Sequence, residues 1–219
     1  MTEALNELNS DSLHNEIAIY KRMGSHEGIL PVFQLSGQSI EMAYAKEGSL
    51  TQYIKNHREP TDALKARWIG SVAFTICYVH RCRITVDDIA LRNFLIDDQL
   101  AIKLIDFGLS TLQHLDGMME ILATKADIFR VGFIIYSIAT WKIYDYNKFE
   151  DGKEGSSSRE GGPVQGSSEH ETHWSRAESL PSVDHCICGN IIDKCWIGGY
   201  NNMDQVCDDV QRELGTLLY

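Results

Sequence analysis

Apolar residues recur at helical spacing in six segments of the chain. In residues 11–23, Leu13, Ile17 and Tyr20 fall on one face, and Gly24 supplies a stop. The same reading predicts further helices over residues 49–56, 63–81, 127–141, 187–196 and 203–218. The segment 127–141 is apolar around most of its circumference, which is typical of a helix buried in the middle of a domain.

Shorter apolar runs between turn residues predict two pairs of strands. The first pair is GILPVFQL at residues 28–35 and QSIEMAYA at residues 38–45. The second pair is NFLID at residues 93–97 and AIKLID at residues 101–106. The residues between them, Asp97-Asp98-Gln99, suit a tight hairpin turn, so we expect the second pair to be antiparallel neighbours.

The composition changes abruptly after the apolar helix. Residues 150–178 are rich in glycine, serine and charged side chains. A segment of this kind cannot bury enough apolar surface to become ordered. We therefore expect a disordered insertion between residues 150 and 178.

The charge of the chain limits its partners. The formal net charge is −11 at pH 7, whereas proteins that bind DNA or anionic membranes need a basic face. No apolar run approaches the roughly 20 residues that span a bilayer, and the polar, acidic N-terminus fits neither a secretory signal nor a transit peptide. We expect a soluble cytoplasmic or nuclear protein with no nucleic-acid or membrane partner.

The six cysteines leave a metal site open as an alternative. One interpretation is a zinc cluster, because four cysteines lie within one stretch with His185 beside them: Cys186, Cys188, Cys195 and Cys207. Structural zinc ligands are usually paired as C-x₂₋₄-C, and no such pair occurs within residues 185–207. The spacing favours free thiols, as expected in a reducing compartment.

The candidate chemistry lies in residues 86–110, VDDIALRNFLIDDQLAIKLIDFGLS. Asp88 is followed five positions later by Asn93, and an Asp-Phe-Gly begins at Asp106, beyond the hairpin. Carboxylate and amide oxygens are hard ligands that suit Mg²⁺. Transfer of a phosphoryl group concentrates negative charge on its oxygens, so a site for that reaction must present a cation.

The order of these motifs resembles that of eukaryotic protein kinases, and particularly of the small fungal kinase-like proteins. The resemblance runs from about Asn15 to the end of the chain, interrupted by the insertion, and Lys194-Cys195-Trp196 is similar to a late signature of tyrosine and tyrosine-like kinases. It implies an α+β, protein kinase-like fold, with ATP and Mg²⁺ as cofactors and a protein substrate or regulatory protein as partner. It also implies a small N-lobe at residues 1–45, a mainly helical C-lobe with the catalytic loop at residues 46–149, and closing helices at residues 179–219.

The resemblance also implies roles for the residues that match the family's motifs. Asp88 would accept the proton of the substrate hydroxyl, and Arg92 stands in the catalytic loop just before Asn93, as in tyrosine kinases. Asn93 and Asp106 would hold Mg²⁺. The remaining matches are structural (Glu16, Phe107, Gly108 and Asp127) or line the adenine pocket (Met42, the backbone of Ala43 and Ala45, and Leu95).

Two of these structural matches have specific partners in the family. Asp127 would tie down the backbone of the catalytic loop. Glu16 would pair with a lysine on a strand of the N-lobe. Only 15 residues precede Glu16, and none of them resembles G-x-G-x-x-G or V-A-I-K, so the sequence predicts a truncated N-lobe of one helix and two strands. A two-stranded sheet is marginal alone.

The catalytic loop and the segment after it also depart from the family pattern. Val86 and Asp87 replace the usual His and Arg, and Asp87 would repel an activating phosphate. The sequence MME at residues 118–120 is a degraded A-P-E at best. Three readings stay open: an active kinase of impaired turnover acting on Ser/Thr or Tyr, an inactive pseudokinase that serves as an interaction module, and the product of an incomplete gene.

Overall fold

The computed structural model describes residues 2–113, 118–144, 180–215 and 217, with side chains from residue 11 onward. The insertion expected at residues 150–178 lies outside the described residues. The helices are α1 (Thr2–Met23), α2 (Leu50–Asn56), α3 (Asp62–Arg81), α4 (Met118–Thr140), α5 (Gly189–Trp196) and α6 (Met203–Leu214). The strands are β1 (Val32–Leu35), β2 (Ile40–Met42), β3 (Gly48–Ser49), β4 (Ile84–Thr85), β5 (Phe94–Ile96), β6 (Ile102–Leu104) and β7 (Thr111–Leu112).

Each predicted helix is present, and three of them begin at a residue that caps them. The side-chain oxygens of Ser49, Thr61 and Asn202 accept the backbone N–H of Gln52, Leu64 and Gln205 respectively, at the first turns of α2, α3 and α6. Such a cap satisfies an amide that has no partner within the helix, and is worth about 1 kcal/mol.

Two helices begin earlier than the sequence predicts. Helix α1 starts at Thr2 rather than at residue 11, and α4 starts at Met118 rather than at Asp127. In α4 the added residues 118–126 are exposed or half-buried, so they carry none of the buried apolar positions on which the prediction rested. The MME sequence at residues 118–120 therefore forms the first turn of α4 and is continuous with the helix that carries Asp127.

The strands form small antiparallel sheets, ordered β1-β2, β3-β5-β6 and β4-β7. The predicted hairpin is confirmed, with Phe94 opposite Leu104. The first predicted strand is shorter than expected, because residues 28–30 leave it to contact β6. Leu104 donates its N–H to the carbonyl of Gly28 at 2.8 Å and accepts the N–H of Leu30 at 3.2 Å. These bonds join the N-terminal part of the chain to the hairpin that β5 and β6 form.

Helix α3 lies at the centre of the helical part, packed against α4 and α6. Its residues Trp68, Ile69, Val72 and Ile76 are buried, as are Ile128, Val131, Ile135 and Ile138 of α4. Each such side chain contributes about 1.5–3 kcal/mol when fully removed from water. The predicted α+β class is confirmed: a small strand-containing N-terminal part is followed by a mainly helical part. Among the described residues, no helix combines the length and apolarity needed to cross a membrane.

One carboxylate connects this helical core to the candidate catalytic loop. Asp127 is completely buried on α4. It accepts the backbone N–H of Val86 at 2.7 Å and of Asp87 at 3.0 Å, and it lies 2.9 Å from Nε2 of His80 on α3. The loop that begins at Val86 is therefore fixed to two core helices by a single side chain.

Replacing Asp127 with alanine leaves the amides of Val86 and Asp87 buried without their acceptor. Each lost partner costs about 1–3 kcal/mol, so we expect the free energy of unfolding to fall by about 3 kcal/mol or more. Asp127→Asn keeps one acceptor oxygen and should cost less. Urea denaturation measures both variants beside Asp208→Ala, the same change at an exposed site on α6. Equal stability of Asp127→Ala and the control would contradict the tether.

Candidate active site

Asp88 is held by two neighbouring side chains of its own loop. The residues Leu91–Asn93 form a short 3₁₀ turn that folds back toward it. Arg92 places Nη2 2.7 Å from both carboxylate oxygens of Asp88. Asn93 donates Nδ2 to the Asp88 carbonyl and to one of its carboxylate oxygens, both at 2.9 Å. The side chain of Asp88 is therefore oriented, but its oxygens already have a charged donor.

Asn93 connects Asp88 to the Asp-Phe-Gly segment. The backbone carbonyl of Asn93 accepts the N–H of Ile105 at 2.9 Å, which brings Asn93 beside the residue that precedes Asp106. The side chain is buried, and Nδ2 is committed to Asp88. Its oxygen Oδ1 has no donor among the described residues, so it is the atom left to face a cation.

The Asp-Phe-Gly segment turns its aspartate outward and its phenylalanine inward. Asp106 is exposed and has φ of +65°, a conformation that is uncommon for residues other than glycine and is found at functional sites. One carboxylate oxygen accepts the N–H of Gly108 at 3.3 Å. Phe107 is fully buried, edge-on to Tyr20 of α1 with ring centroids 5.2 Å apart. An exposed carboxylate beside Asn93 fits the ligand set of Mg²⁺.

Glu16 lies against the same segment from α1. Its carboxylate accepts the N–H of Phe107 at 3.2 Å. Burial raises the pKa of Glu16 above its ordinary value, and the nearby carboxylate of Asp106 raises it further, against the opposing effect of the bond from Phe107. Among the residues that the structure describes, no cation pairs with Glu16. The two carboxylates face one region without a positive charge between them.

The predicted adenine-binding residues surround the connection between β2 and β3. Met42 ends β2, and the N–H of Ala43 is taken by the carbonyl of Pro31 at 2.8 Å. Within the described part of the chain, neither the carbonyl of Ala43 nor the N–H of Ala45 has a hydrogen-bond partner. Leu95 is half-buried on β5, opposite Ser49 of β3, so the pairing of these strands brings it next to the connection.

The two residues that replace His and Arg in the catalytic loop have structural contacts. Val86 is fully buried, and its carbonyl accepts the hydroxyl of Ser110 at 3.1 Å. Asp87 has φ of +62° and accepts the hydroxyl of Thr85 at 3.2 Å. Both backbone amides donate to the carboxylate of Asp127 on α4.

Sequence reasoning missed three polar residues that hold the site. His80 contacts Asp127 from the last turn of α3, and Ser12 and Asn15 of α1 bond the backbone after Phe107. The signal for the last two was present, because Ser12, Asn15 and Glu16 have i, i+3 and i+4 spacing and so share one face of the helix. That spacing alone is also typical of an ordinary solvent-facing surface.

A protein-family model and several known proteins match this chain. The family model described as "Protein kinase domain" matches residues 2–126. NUAK family SNF1-like kinase 1 of Mus musculus is 28% identical over 118 residues, covering 52% of this chain and 18% of that protein. The mitosis inducer protein kinase cdr1 of Schizosaccharomyces pombe is 25% identical over 145 residues, covering 56% of this chain and 24% of that protein.

A plant relative gives a shorter match. The carbon catabolite-derepressing protein kinase of Secale cereale is 31% identical over 75 residues, which cover 34% of this chain and 15% of that protein. The aligned part takes in less than a quarter of each of these three relatives. The family model, by contrast, matches more than half of this chain. The chain belongs to the protein kinase domain family.

Proposed function

We propose that this chain binds ATP with Mg²⁺ and transfers the γ-phosphoryl group to a hydroxyl of a protein, with impaired turnover. The observation that supports the proposal is the link from Asn93 both to Asp88 and to the segment that carries Asp106. Asn93 bonds Asp88 through its side chain and Ile105, the neighbour of Asp106, through its backbone. One buried residue thus links the proposed proton acceptor to the proposed metal ligand.

Asn93 and Asp106 are the proposed ligands of Mg²⁺. The free oxygen of the Asn93 amide and the exposed carboxylate of Asp106 are both hard donors. When bound, Mg²⁺ supplies the positive charge that phosphoryl transfer needs. The protein's contribution is to hold the two ligands: Asn93 by its bonds to Asp88, and Asp106 by the contacts of Phe107 and Gly108 with α1.

The connection between β2 and β3 is the proposed adenine site. A free backbone acceptor at Ala43 and a free donor at Ala45 complement the amino group and ring nitrogen at one edge of adenine. Met42 and Leu95 supply apolar contact from the adjoining strands. Asn93 directly precedes β5 and lies two residues before Leu95, so the proposed adenine and phosphate sites adjoin the same end of β5.

Asp88 is the proposed acceptor of the substrate proton, and Arg92 limits the access of the substrate hydroxyl to its carboxylate oxygens. A substrate hydroxyl must compete with Nη2 of Arg92 for the carboxylate oxygens of Asp88. The Arg92 side chain is 57% exposed, so its remaining guanidinium N–H groups are open to solvent. Arg92 therefore competes with a substrate hydroxyl for Asp88.

The lack of a cationic partner for Glu16 among the described residues supports impaired turnover. No cation of the described residues bridges Glu16 to the phosphate side of the site. In related phosphoryl-transfer chemistry a single preorganised cation, an arginine finger, is worth about 10³–10⁵ in rate. A site that lacks such a cation is expected to lose catalysis before it loses nucleotide binding.

A second candidate function is that of a catalytically inactive interaction module. The bidentate hold of Arg92 on Asp88 favours it, and so do two exposed aromatic side chains, Phe33 and Tyr44, which are 74% and 88% accessible. Exposed aromatic side chains are common anchors of protein interfaces. In either role the proposed partner is a protein of the cytoplasm or nucleus, and the six free thiols fit a reducing compartment.

If the chain transfers phosphate, Asp88→Asn should abolish the transfer of radiolabel from ATP to a protein acceptor. The change removes the proton acceptor and keeps the size of the side chain. Asp98→Asn, at an exposed position of the hairpin turn, is the matched control and should keep wild-type transfer. Transfer that survives Asp88→Asn would assign the activity to a contaminant, and no transfer by the wild type would favour the inactive module.

Glu16→Gln should leave the protein at least as stable as the wild type at pH 7. Glutamine keeps an oxygen for the N–H of Phe107 and removes a half-buried charge. Because the pKa of Glu16 is raised in the folded state, the contribution of Glu16 to stability is greatest below pH 4.5, its ordinary pKa, and declines as the pH rises through the folded pKa. The advantage of Glu16→Gln should therefore appear at pH 7 and vanish near pH 4.

Urea denaturation at both pH values, with the exposed Glu41→Gln as control, measures this difference. A Glu16→Gln variant that is clearly less stable than wild type at pH 7 would show that a cation does pair with Glu16. That result would remove the electrostatic argument for impaired turnover.

A further inference from the structure

The polar face of α1 reaches the backbone that follows Phe107. Asn15 donates Nδ2 to the carbonyl of Gly108 at 3.2 Å and to the carbonyl of Ser110 at 2.8 Å. Ser12 donates its hydroxyl to the same Gly108 carbonyl at 3.4 Å. An asparagine amide has two N–H donors. Asn15 thus commits its amide nitrogen to two carbonyls that lie two residues apart, which fixes the path of the chain between them.

The segment held by Asn15 is also attached to the catalytic loop. The hydroxyl of Ser110 donates to the carbonyl of Val86 at 3.1 Å, and Val86 is the first residue tied to Asp127. Ser110 is 3% exposed, so this bond is shielded from water. A continuous path of hydrogen bonds therefore runs from Asn15 on α1, through Ser110, to the loop that carries Asp88.

The contact between α1 and this segment is close as well as polar. A Cβ atom added to Gly108 would lie 2.6 Å from the hydroxyl oxygen of Ser12. Two residues earlier, Asp106 has φ of +65°, a strained conformation that persists only where neighbouring contacts hold it. The contacts available for this are those of α1 with Phe107, Gly108 and Ser110.

We propose that Asn15 is a positioning residue for the carboxylate of Asp106 at the metal site. The inference rests on the proposed function, because it assigns Asp106 to Mg²⁺. Asn15 touches neither metal nor nucleotide in this assignment. It acts through the backbone of residues 108–110, and so restrains the backbone that sets the direction of the Asp106 side chain, whose carboxylate accepts the N–H of Gly108.

The test compares Asn15→Asp with the wild type. The two side chains have the same shape, but aspartate replaces the two N–H donors with a carboxylate that faces two carbonyl oxygens. A fluorescent ATP analogue titrated with Mg²⁺ should show a requirement for Mg²⁺ raised about tenfold in the variant. Binding at saturating Mg²⁺ should be retained. Asn56→Asp, the same change at an exposed position of α2, should match the wild type.

The outcomes separate this inference from the proposed function. If the wild type requires Mg²⁺ and Asn15→Asp requires the same concentration, the positioning role is overturned and the proposed metal site stands. If the wild type binds nucleotide with no dependence on Mg²⁺, the metal site and the positioning role both fail. A purely structural role for Asn15 would lower the melting temperature without changing the Mg²⁺ requirement of the folded protein.

A second pair of variants tests the same contact if Asn15→Asp does not fold. Gly108→Ala pushes a methyl group against the Ser12 hydroxyl and should raise the Mg²⁺ requirement. Ser12→Ala removes that hydroxyl, so the double variant should recover part of the loss. A double variant no better than Gly108→Ala alone would show that α1 does not restrain this segment, and would overturn the inference.

Discussion

The buried carboxylate of Asp127 is the constraint on which the candidate site depends. It accepts two successive backbone amides at the start of the catalytic loop and contacts His80 of α3. A buried charge is costly unless each of its oxygens is hydrogen-bonded, and a buried amide is costly without an acceptor. Each group therefore needs the other. The hydrogen bonds to Asp127 therefore fix Val86 and Asp87 against α3 and α4, and through them they fix the position of Asp88.

The carboxylates of the candidate site differ in whether a cationic side chain pairs with them. Asp88 has Arg92 and Asn93 as donors, so it needs no further partner in the folded protein. Glu16 and Asp106 face the same region with no cation among the described residues, and burial together with the carboxylate of Asp106 raises the pKa of Glu16. A metal ion bound with nucleotide phosphates would relieve this imbalance. The proposed ligand would thus supply the positive charge that Glu16 and Asp106 lack, whereas Asp88 already has its donors within the protein.

Local patterns were enough to predict most elements, because helical periodicity and turn residues are short-range signals. They predicted the hairpin around Asp97 and helix α3. They missed contacts between residues far apart in sequence. The bonds of Asn15 to Gly108 and Ser110 and of Leu104 to Gly28 depend on how elements pack, and a local pattern such as the spacing of Asn15 on α1 does not identify the partner.

The most direct measurement is the thermal stability of the purified chain with ATP, with and without Mg²⁺, beside an Asp106→Asn variant. A ligand at about 100 times its dissociation constant adds roughly 2.7 kcal/mol to stability, which shifts the melting temperature measurably. The proposed site predicts a rise that requires Mg²⁺ and is lost in Asp106→Asn. A folded wild-type protein whose melting temperature does not respond, or a rise that the variant retains, would contradict a metal–nucleotide site at Asn93 and Asp106.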